Sequence, residues 1–225
     1  MVIVVNEPYK PKNFPARRPR KPVVIATRPW VRQIQVAVGY APFRDFSCGT
    51  GEIETKVNAM INDRSEGKGR PAHWLVMEMG LGNLVGVSAW VPEQLTYDVL
   101  PTPSPSALKV TITVPNAAYI HFVALKAEYR GGTLPDGTLL SDYLLNGTQS
   151  HIKRAYNGIM PHTWALVEGP NEPSHRLFWR NGFAGSVPPQ TPGADWKHVW
   201  EPTHTFAQIA DLTPPWKTHP AIAAA

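Results

Sequence analysis

Hydrophobic residues recur with a helical period shortly after residue 50. The stripe consists of Ile53, Val57, Met60 and Ile61. Spacings of three and four residues place side chains on one face of a helix, so the pattern predicts an amphipathic helix. Thr50 can act as its N-cap, because a threonine hydroxyl accepts a hydrogen bond from a free N–H group of the first turn. The helix should end within the polar residues 62–71, which close on proline.

Four apolar segments after this helix have the composition of β-strands. They are residues 73–79, 84–91, 108–114 and 119–126. The third segment alternates apolar and polar side chains, as a half-buried strand does, whereas the fourth is more apolar and should be more buried. Residues 80–83 contain two glycines and predict a hairpin between the first two strands. The proline-rich residues 92–107 predict a loop.

The second half of the chain alternates helix and strand patterns. Asp136 is a candidate N-cap for a helix over residues 137–156, and residues 163–167 form a short apolar strand pattern. Asn171 is a candidate N-cap for a further helix, and Gly182 stands where such a helix would end in the left-handed conformation. We therefore expect the order helix, strand, helix after the fourth strand.

A glycine-containing loop joins the fourth strand to the first of these helices. Its residues from Glu128 to Gly132 read Glu-Tyr-Arg-Gly-Gly. Free backbone N–H groups and the positive end of the helix dipole converge at such a position, and glycine lets the backbone approach a ligand closely. The loop is therefore a candidate anion-binding site.

The composition of the chain indicates a globular protein. Of its 225 residues, 43% are hydrophobic and 17% are charged, which suits a buried core and not a disordered chain. The single cysteine, Cys48, excludes an intrachain disulfide. The eight histidines show no closely spaced ligand motif, so no metal site is predicted. The 24 prolines, roughly twice the average usage, predict long extended segments.

The net charge of +5 is concentrated near the N-terminus. Residues 1–29 hold seven basic side chains and one acidic side chain, whereas the remaining residues hold 15 basic and 16 acidic ones. A nucleic-acid-binding domain normally carries its basic surface on the folded body. The distribution therefore favours a docking arm, and nucleic acid is not the expected partner.

Proline and tryptophan divide the chain into three predicted parts. These are a basic proline-rich arm over residues 1–29, a folded domain over residues 30–187, and a proline- and tryptophan-rich tail over residues 188–225. We expect the arm and the tail to lie on the domain, or to bind a protein partner or a second copy of the chain. No apolar segment has the length of a signal-peptide core or a membrane span, so we expect a cytoplasmic protein without membrane contact.

Two motifs in the second half resemble the GCN5-related N-acetyltransferase (GNAT) superfamily. In that family a strand leads into V-x-P-x-x-R-G-x-G-x-G/A, and Leu125 to Gly132 here read LKAEYRGG. A later helix carries N-x-x-A-x-x-(L/F)-Y-x-x-x-G-F, and residues 171–183 here read NEPSHRLFWRNGF. The resemblance covers Tyr119 to Phe183, about a third of the chain.

The resemblance implies both a fold and an activity. The fold is α/β (α+β), with a mixed, mostly antiparallel central sheet that is flanked by helices and splayed between residues 119–126 and 163–167. Residues 50–91 would supply the first half of this fold. The activity is that of an acyl-CoA-dependent N-acetyltransferase, which transfers the acetyl group of acetyl-CoA to an amine that the sequence does not identify.

The resemblance also assigns residues to acetyl-CoA. The pantetheine arm would pair with the backbone near Val123 and Leu125, and Asn171 would help to fix it. Phe178 takes the tyrosine position of the second motif, beside the cofactor. The pyrophosphate would bind N–H groups of Arg130, Gly131, Gly132, Gly137 and Thr138.

Two residues are candidates for the base that takes a proton from the amine. His121 is expected on the strand face of Tyr119, Val123 and Leu125, where some members of the family use histidine, and its ordinary pKa is near neutral pH. The alternative is a core histidine whose hydrogen bonds are satisfied. Glu78 on the predicted hairpin is the second candidate, with a solvated or salt-bridged carboxylate as the alternative.

The chain departs from the family pattern in the glycine run, at Phe178 and, more mildly, at Ala127, where the family has proline. Residues 133–136 lengthen the glycine run, and Phe178 lacks the hydroxyl with which the family tyrosine protonates the departing thiolate. Water, Tyr143 or Tyr156 would have to replace it. These departures motivate a second hypothesis: a catalytically degenerate GNAT fold that serves as a structural or interaction component of a larger assembly, such as a virion or another multiprotein particle, docked through its terminal arms.

Overall fold

The computed structural model describes residues 23–36, 46–48, 51–65, 72–80, 82–99, 110–168, 171–183, 185–187, 195–200 and 202. Its strands are β1 (Trp30–Ile34), β2 (Ser47–Cys48), β3 (Gly51–Glu52), β4 (His73–Glu78), β5 (Leu84–Val99), β6 (Val110–Leu125), β7 (Thr163–Val167), β8 (Gly185–Val187) and β9 (Trp196–Trp200). Its α-helices are α1 (Ile53–Ser65), α2 (Leu140–Ala155) and α3 (Glu172–Arg180). None of these described helices combines the length and apolarity that crossing a membrane requires.

Seven of the strands form one mixed sheet in the order β1-β4-β5-β6-β7-β9-β8. Neighbouring strands in this sheet are antiparallel, except that β6 and β7 are parallel. Strands β2 and β3 form a separate two-stranded ribbon ahead of α1. The predicted fold class, a mixed and mostly antiparallel sheet flanked by helices, is confirmed.

Strands β5 and β6 are longer than the sequence predicted. Residues 92–99 continue β5 where a loop was expected, and residues 110–125 form one strand where two were expected. The strands stay paired through this region because the register shifts between Glu93 and Leu95. Pro115 falls in the irregular part, where the N–H that proline lacks is not needed by the ladder.

The helix predictions are confirmed for α1 and α3 and are wrong for the start of α2. The Asn171 side chain accepts a hydrogen bond in the first turn of α3, and Gly182 after that helix has a left-handed φ of 88°. Helix α2 begins at Leu140 and has no side-chain cap. The carboxylate of Asp136 instead accepts a hydrogen bond from the N–H of Thr138, and this local turn keeps it from capping the helix.

Apolar side chains fill both faces of the large sheet. Val57 of α1 packs in a cluster with Val76 of β4. Leu145 of α2 and Leu177 of α3 pack in another cluster with Leu75 of β4. Successive residues of a strand point to opposite faces, so α1 covers one face and α2 and α3 cover the other.

Segments beyond the predicted domain also take part in the fold. Val24 forms a parallel bridge with Thr133, and β9 pairs along its whole length with β7. The folded body therefore includes residues 23–29 and 195–200, which the sequence division assigned to the arm and the tail. Most of the arm and most of the tail lie outside the described residues, and the three-part division stays a prediction.

Candidate active site

The parallel strands β6 and β7 separate partway along their length. Three residue pairs join them, from Ala118–Thr163 to Ile120–Ala165, and residues 121–125 have no partner on β7. The predicted splay is confirmed, and it opens a cleft. Residues 119–123 form one wall, the end of β7 and the start of α3 form the other, and Lys56 and Asp195 complete the described lining.

A β-bulge in β6 marks the point where the strands separate. On the neighbouring strand β5, Ala89 pairs with Phe122 and Trp90 pairs with Ile120, so His121 has no partner in that ladder. An extra residue in one strand reverses the alternation of the side chains beyond it. Ile120 accordingly packs with α2 and α3, whereas Phe122, two residues later, packs with α1.

The bulge corrects the predicted face of His121. Its ring packs against Tyr119 with a centroid distance of 4.3 Å. Val123 and Leu125, which were expected on the same face, pack in the cluster of α2. The expectation was wrong because it assumed unbroken alternation along the strand. His121, Tyr119 and Val123 nevertheless all line the cleft.

The imidazole of His121 is uncharged at neutral pH. Burial, reinforced by the positive charge of Lys56, lowers the pKa of His121 to about 4. A neutral imidazole carries one nitrogen with a free lone pair, so it can accept a proton. The lowered pKa also makes it a weak base, which is effective only if the proton is delivered at short range.

Helix α3 supplies part of the second wall and contributes one member of a buried histidine pair. Asn171 and Phe178 both line the cleft. Phe178 is 4% exposed and packs edge-on against Phe183. Beside it, Nδ1 of His175 lies 2.7 Å from Nε2 of His198. Burial, together with the neighbouring His175, lowers the pKa of His198 to about 3, so His198 is neutral in the fold.

Several of the N–H groups that were predicted to bind phosphate donate hydrogen bonds to acceptors within the glycine loop itself. The N–H groups of Gly132 and Gly137 donate to loop carbonyls at 3.1 and 3.0 Å. The N–H of Thr138 donates to Oδ1 of Asp136 at 2.9 Å, and that of Arg130 lies 3.5 Å from a carbonyl oxygen. The structure therefore groups these residues in one loop whose hydrogen bonds are already largely internal.

Gly131 and Gly132 are required for different physical reasons. Gly131 has φ of 75°, and no atom lies within 4 Å of the position that a Cβ would take. Gly132 is buried, and a Cβ there would lie 2.9 Å from Cδ1 of Leu140 and 2.9 Å from the carbonyl oxygen of Val23. The absence of a side chain at Gly132 thus lets the Val23 backbone and the Leu140 side chain pack closely there, where a phosphate was expected.

Glu78 does not line the cleft. It lies at the end of β4, where Arg32 of β1 donates to both of its carboxylate oxygens at 2.7 and 2.9 Å. Strand β5 separates β4 from β6 in the sheet. Glu78 is placed as one partner of an ion pair near the sheet edge, and we do not assign it a part in proton transfer.

The tyrosines considered as substitutes for the family tyrosine are engaged elsewhere. The Tyr143 hydroxyl donates to the carbonyl of Pro29 at 3.0 Å, and the Tyr156 hydroxyl donates to the carbonyl of Ala117 at 2.9 Å. Neither residue belongs to the described lining of the cleft, whereas Tyr119 does. The tyrosine that lines the cleft is therefore one that the sequence analysis did not single out as a proton donor.

Three charged cleft residues were also missed by the sequence analysis. Lys56 comes from α1, Glu168 follows β7, and Asp195 precedes β9. They are far apart in the chain and share no local motif. The one usable signal was that Glu168 directly follows a strand predicted to border the splay.

No family model matches the sequence, and no curated protein matches it. Solved structures do match. A mutant form of the AtaT toxin is 13% identical with a TM-score of 0.53, and the alignment covers 83% of this chain and 96% of that one. A protein of Desulfovibrio desulfuricans described as a GNAT-family acetyltransferase is 15% identical with a TM-score of 0.48, over 76% and 96% of the two chains. The PaiA N-acetyltransferase of Thermoplasma acidophilum, in complex with coenzyme A, is 16% identical with a TM-score of 0.40, over 66% and 70%.

The architecture and the structural match define the class of fold. A mixed sheet that splays between β6 and β7 and is followed by a capped helix is the arrangement that the two sequence motifs implied, whereas the bulge was not predicted. The chain shares its fold with the AtaT toxin, and this fold is the one that the resemblance to the GNAT superfamily led us to expect. At these identities the match establishes the fold alone.

The cleft and the glycine loop differ in how well they suit acetyl-CoA. Residues 121–125 offer a strand edge that β7 does not pair, and an extended arm with amide groups can add to such an edge. Val123 and Asn171 lie in this cleft. The glycine loop has fewer uncommitted donors for a pyrophosphate. The pantetheine half of the cofactor therefore fits the chain better than the nucleotide half does.

Proposed function

We propose that the chain transfers an acetyl group from an acyl-CoA-type thioester to an amine. The observation that carries this proposal is the cleft between β6 and β7, which opens at a bulge holding a neutral histidine. In the reaction the thioester C–S bond breaks, an amide C–N bond forms, the amine gives up a proton, and the departing thiolate gains one.

In this proposal His121 acts as the base. Its neutral imidazole accepts the amine proton, and its position beside Tyr119 keeps the ring at the wall of the cleft. Lys56 favours the uncharged form of the histidine before the transfer, since a nearby cation disfavours imidazolium. A proton that reaches His121 will leave it readily, which suits a base that must be reset in every turnover.

The proton for the departing thiolate needs a donor other than Phe178. Two of the described residues that line the cleft, Tyr119 and Ser174, carry a hydroxyl group. Tyr119 is the better acid of the two, because a phenol has a pKa of about 10 whereas an alkyl hydroxyl is far less acidic. We assign this role to Tyr119, with water as the alternative.

A thermal unfolding experiment with acetyl-CoA tests the proposal directly. A ligand present at 100 times its dissociation constant should stabilise the folded state by about 2.7 kcal/mol and raise the Tm. Release of free thiol in the presence of a panel of amines then tests transfer. No change in Tm at millimolar acetyl-CoA would contradict the proposal.

A blocked cleft provides the matched control. Leu166 lines the cleft and is 38% exposed, so Leu166→Trp fills space without disturbing the core. This variant should lose the rise in Tm, whereas Leu166→Ala should keep it. Equal rises in both variants would place the ligand outside the cleft.

The second candidate function is a GNAT fold without chemistry that serves as an interaction component. The observation that favours it is Phe178, a buried phenylalanine at the tyrosine position of the second motif. The terminal arms that would dock it lie mostly outside the described residues. Absence of acetyl-CoA binding, with retention of a protein partner that is lost on deletion of residues 1–22, would support this candidate over catalysis.

A further inference from the structure

The glycine loop is held by hydrogen bonds that an incoming phosphate would have to replace. Gly132 and Gly137 donate to the carbonyls of Tyr129 and Leu134, and Leu140 at the start of α2 donates to the carbonyl of Gly132 at 2.9 Å. A donor that already has a good acceptor contributes little net free energy when it changes partner. The loop is thus formed by the chain alone, without a ligand to organise it.

A segment from before β1 closes this loop from outside. Ile25 donates its N–H to the carbonyl of Thr133 at 2.9 Å, and Thr133 donates its N–H to the carbonyl of Val23 at 3.0 Å. Ile25 is 5% exposed and belongs to the core cluster of α2. The Val23 carbonyl oxygen therefore lies against Gly132, where the resemblance would place an approaching phosphate.

The chain also places its own carboxylates at the start of α2. Asp136 accepts the N–H of Thr138, and this hydrogen bond lowers the pKa of Asp136, which keeps the group ionised. Asp142, in the first turn of α2, pairs with Arg180 at 2.6 Å. Asp136 also pairs with Arg28 at 3.8 Å. Negative side chains near a helix N-terminus take the favourable place that a phosphate would otherwise have.

The described part of the cleft edge shows one such internal contact, from Nε of Arg130 to the carbonyl oxygen of Leu125 at 3.4 Å. Residues 121–125 are unpaired on the β7 side, and this edge is long enough for an extended arm with two amide groups. Asn171 and Ser174 add polar groups to the facing wall. Among the described residues, backbone groups of the strand edge therefore remain open along the pantetheine path, whereas those of the glycine loop are largely used by the loop itself.

We propose that this chain recognises its acyl donor through the pantetheine thioester, and that the nucleotide of the donor contributes little to its affinity. This inference rests on the proposed acyl transfer and narrows its substrate class. The donors it admits are pantetheine thioesters with or without an attached adenosine diphosphate.

Calorimetry with two probes tests the inference. S-acetylpantetheine and acetyl-CoA should bind the wild-type protein with dissociation constants within about tenfold of each other. An acetyl-CoA affinity at least 100-fold tighter would overturn the inference and leave the proposed function standing. Failure of both probes to bind at millimolar concentration would overturn the proposed function, and the donor inference with it.

An Asp136 variant tests whether the carboxylate of Asp136 is one reason for the small contribution of the nucleotide. Asp136→Ala frees the N–H of Thr138 and removes an exposed carboxylate, so acetyl-CoA should bind at least threefold tighter while S-acetylpantetheine binds as before. The matched control is Glu93→Gln, which removes one negative charge from β5 and should change neither affinity. Equal affinities for acetyl-CoA in the wild type and in Asp136→Ala would count against the carboxylate as the internal substitute for phosphate. Urea unfolding of each variant confirms that the fold is retained.

Discussion

The cleft and the glycine loop are neighbouring regions that differ in whether their backbone groups are hydrogen-bonded within the chain. In the cleft, strand pairing stops after Ile120–Ala165 and leaves an edge of β6 unpaired by β7. In the loop, hydrogen bonds within the turn and with the segment at Val23 occupy several of the N–H groups, among them those of Gly132, Thr133 and Gly137. On the proposal above, one half of the donor site stays open while the chain itself fills the other half. A glycine motif in the sequence therefore does not guarantee that its backbone N–H groups are free to bind a phosphate.

The largest expected effect concerns His121 in the cleft. If acetyl transfer is observed, His121→Ala should lower kcat by about 100-fold, since a positioned base typically contributes 10²–10⁴-fold. The change is measured as initial rates of thiol release at saturating donor and amine. His73→Ala is the matched control, because His73 stacks on Trp90 outside the described lining of the cleft. If kcat of His121→Ala equals that of the wild type, His121 does not act as the base and is a structural residue of the core.

The next effect separates the two glycines of the loop. Gly132→Ala should destabilise the fold by about 1–3 kcal/mol, because a Cβ there meets Leu140 and Val23 at 2.9 Å. Gly131→Ala should cost only about 1 kcal/mol, the strain of a positive φ without any clash. Free energies of unfolding from urea titrations measure both. Equal losses would mean that the segment at Val23 does not press on the loop.

Acid should destabilise the cleft side of the fold through its histidines. The pKa values of His121 and His198 are lowered in the fold, to about 4 and about 3, from an ordinary value of 6.5. The unfolded chain therefore binds more protons below pH 6.5, so the stability is full above that pH and falls as the pH decreases toward 3. The slope should reach about 1.4 kcal/mol per pH unit for each histidine.

His198→Gln sharpens the assignment of this acid sensitivity. Glutamine keeps a hydrogen-bonding group beside His175 but does not titrate. The variant should show a smaller loss of unfolding free energy between pH 6.5 and pH 4 than the wild type shows. An unchanged slope would assign the acid sensitivity to other groups.

The smallest expected effect is that of restoring the family tyrosine. Phe178→Tyr adds a hydroxyl to a side chain that lines the cleft and is 4% exposed. If the thiolate is protonated inefficiently, kcat should rise by up to about tenfold, as one added acid can do. Tyr119→Phe in the same assay should lower kcat. A rate that Tyr119→Phe leaves unchanged would favour water as the proton donor.

The sequence predicted those elements that local signals specify. The period of Ile53, Val57, Met60 and Ile61 predicted α1, and the cap at Asn171 with Gly182 predicted α3. Helix α2 was predicted to begin near Gly137 but begins at Leu140, because Asp136 uses its carboxylate on Thr138. The same hydrogen bond removed one of the predicted phosphate donors. When a side chain such as Asp136 can either cap a helix or accept a hydrogen bond in a local turn, the sequence position alone does not show which hydrogen bond it makes.

The sequence by itself determined the class of the fold, through two motifs and the spacing of apolar residues, since these depend on neighbours close in the chain. The tertiary structure alone decided where the backbone donors point. The bulge at His121 follows from the pairing of β6 with Ala89 and Trp90 of β5, which lie far from His121 in the chain. The assembly of Lys56, His121 and Asp195 in one cleft, and the closure of the glycine loop by Val23, likewise depend on contacts between distant segments. No local pattern specifies such contacts, because their free energy comes from packing that exists only once the sheet is complete.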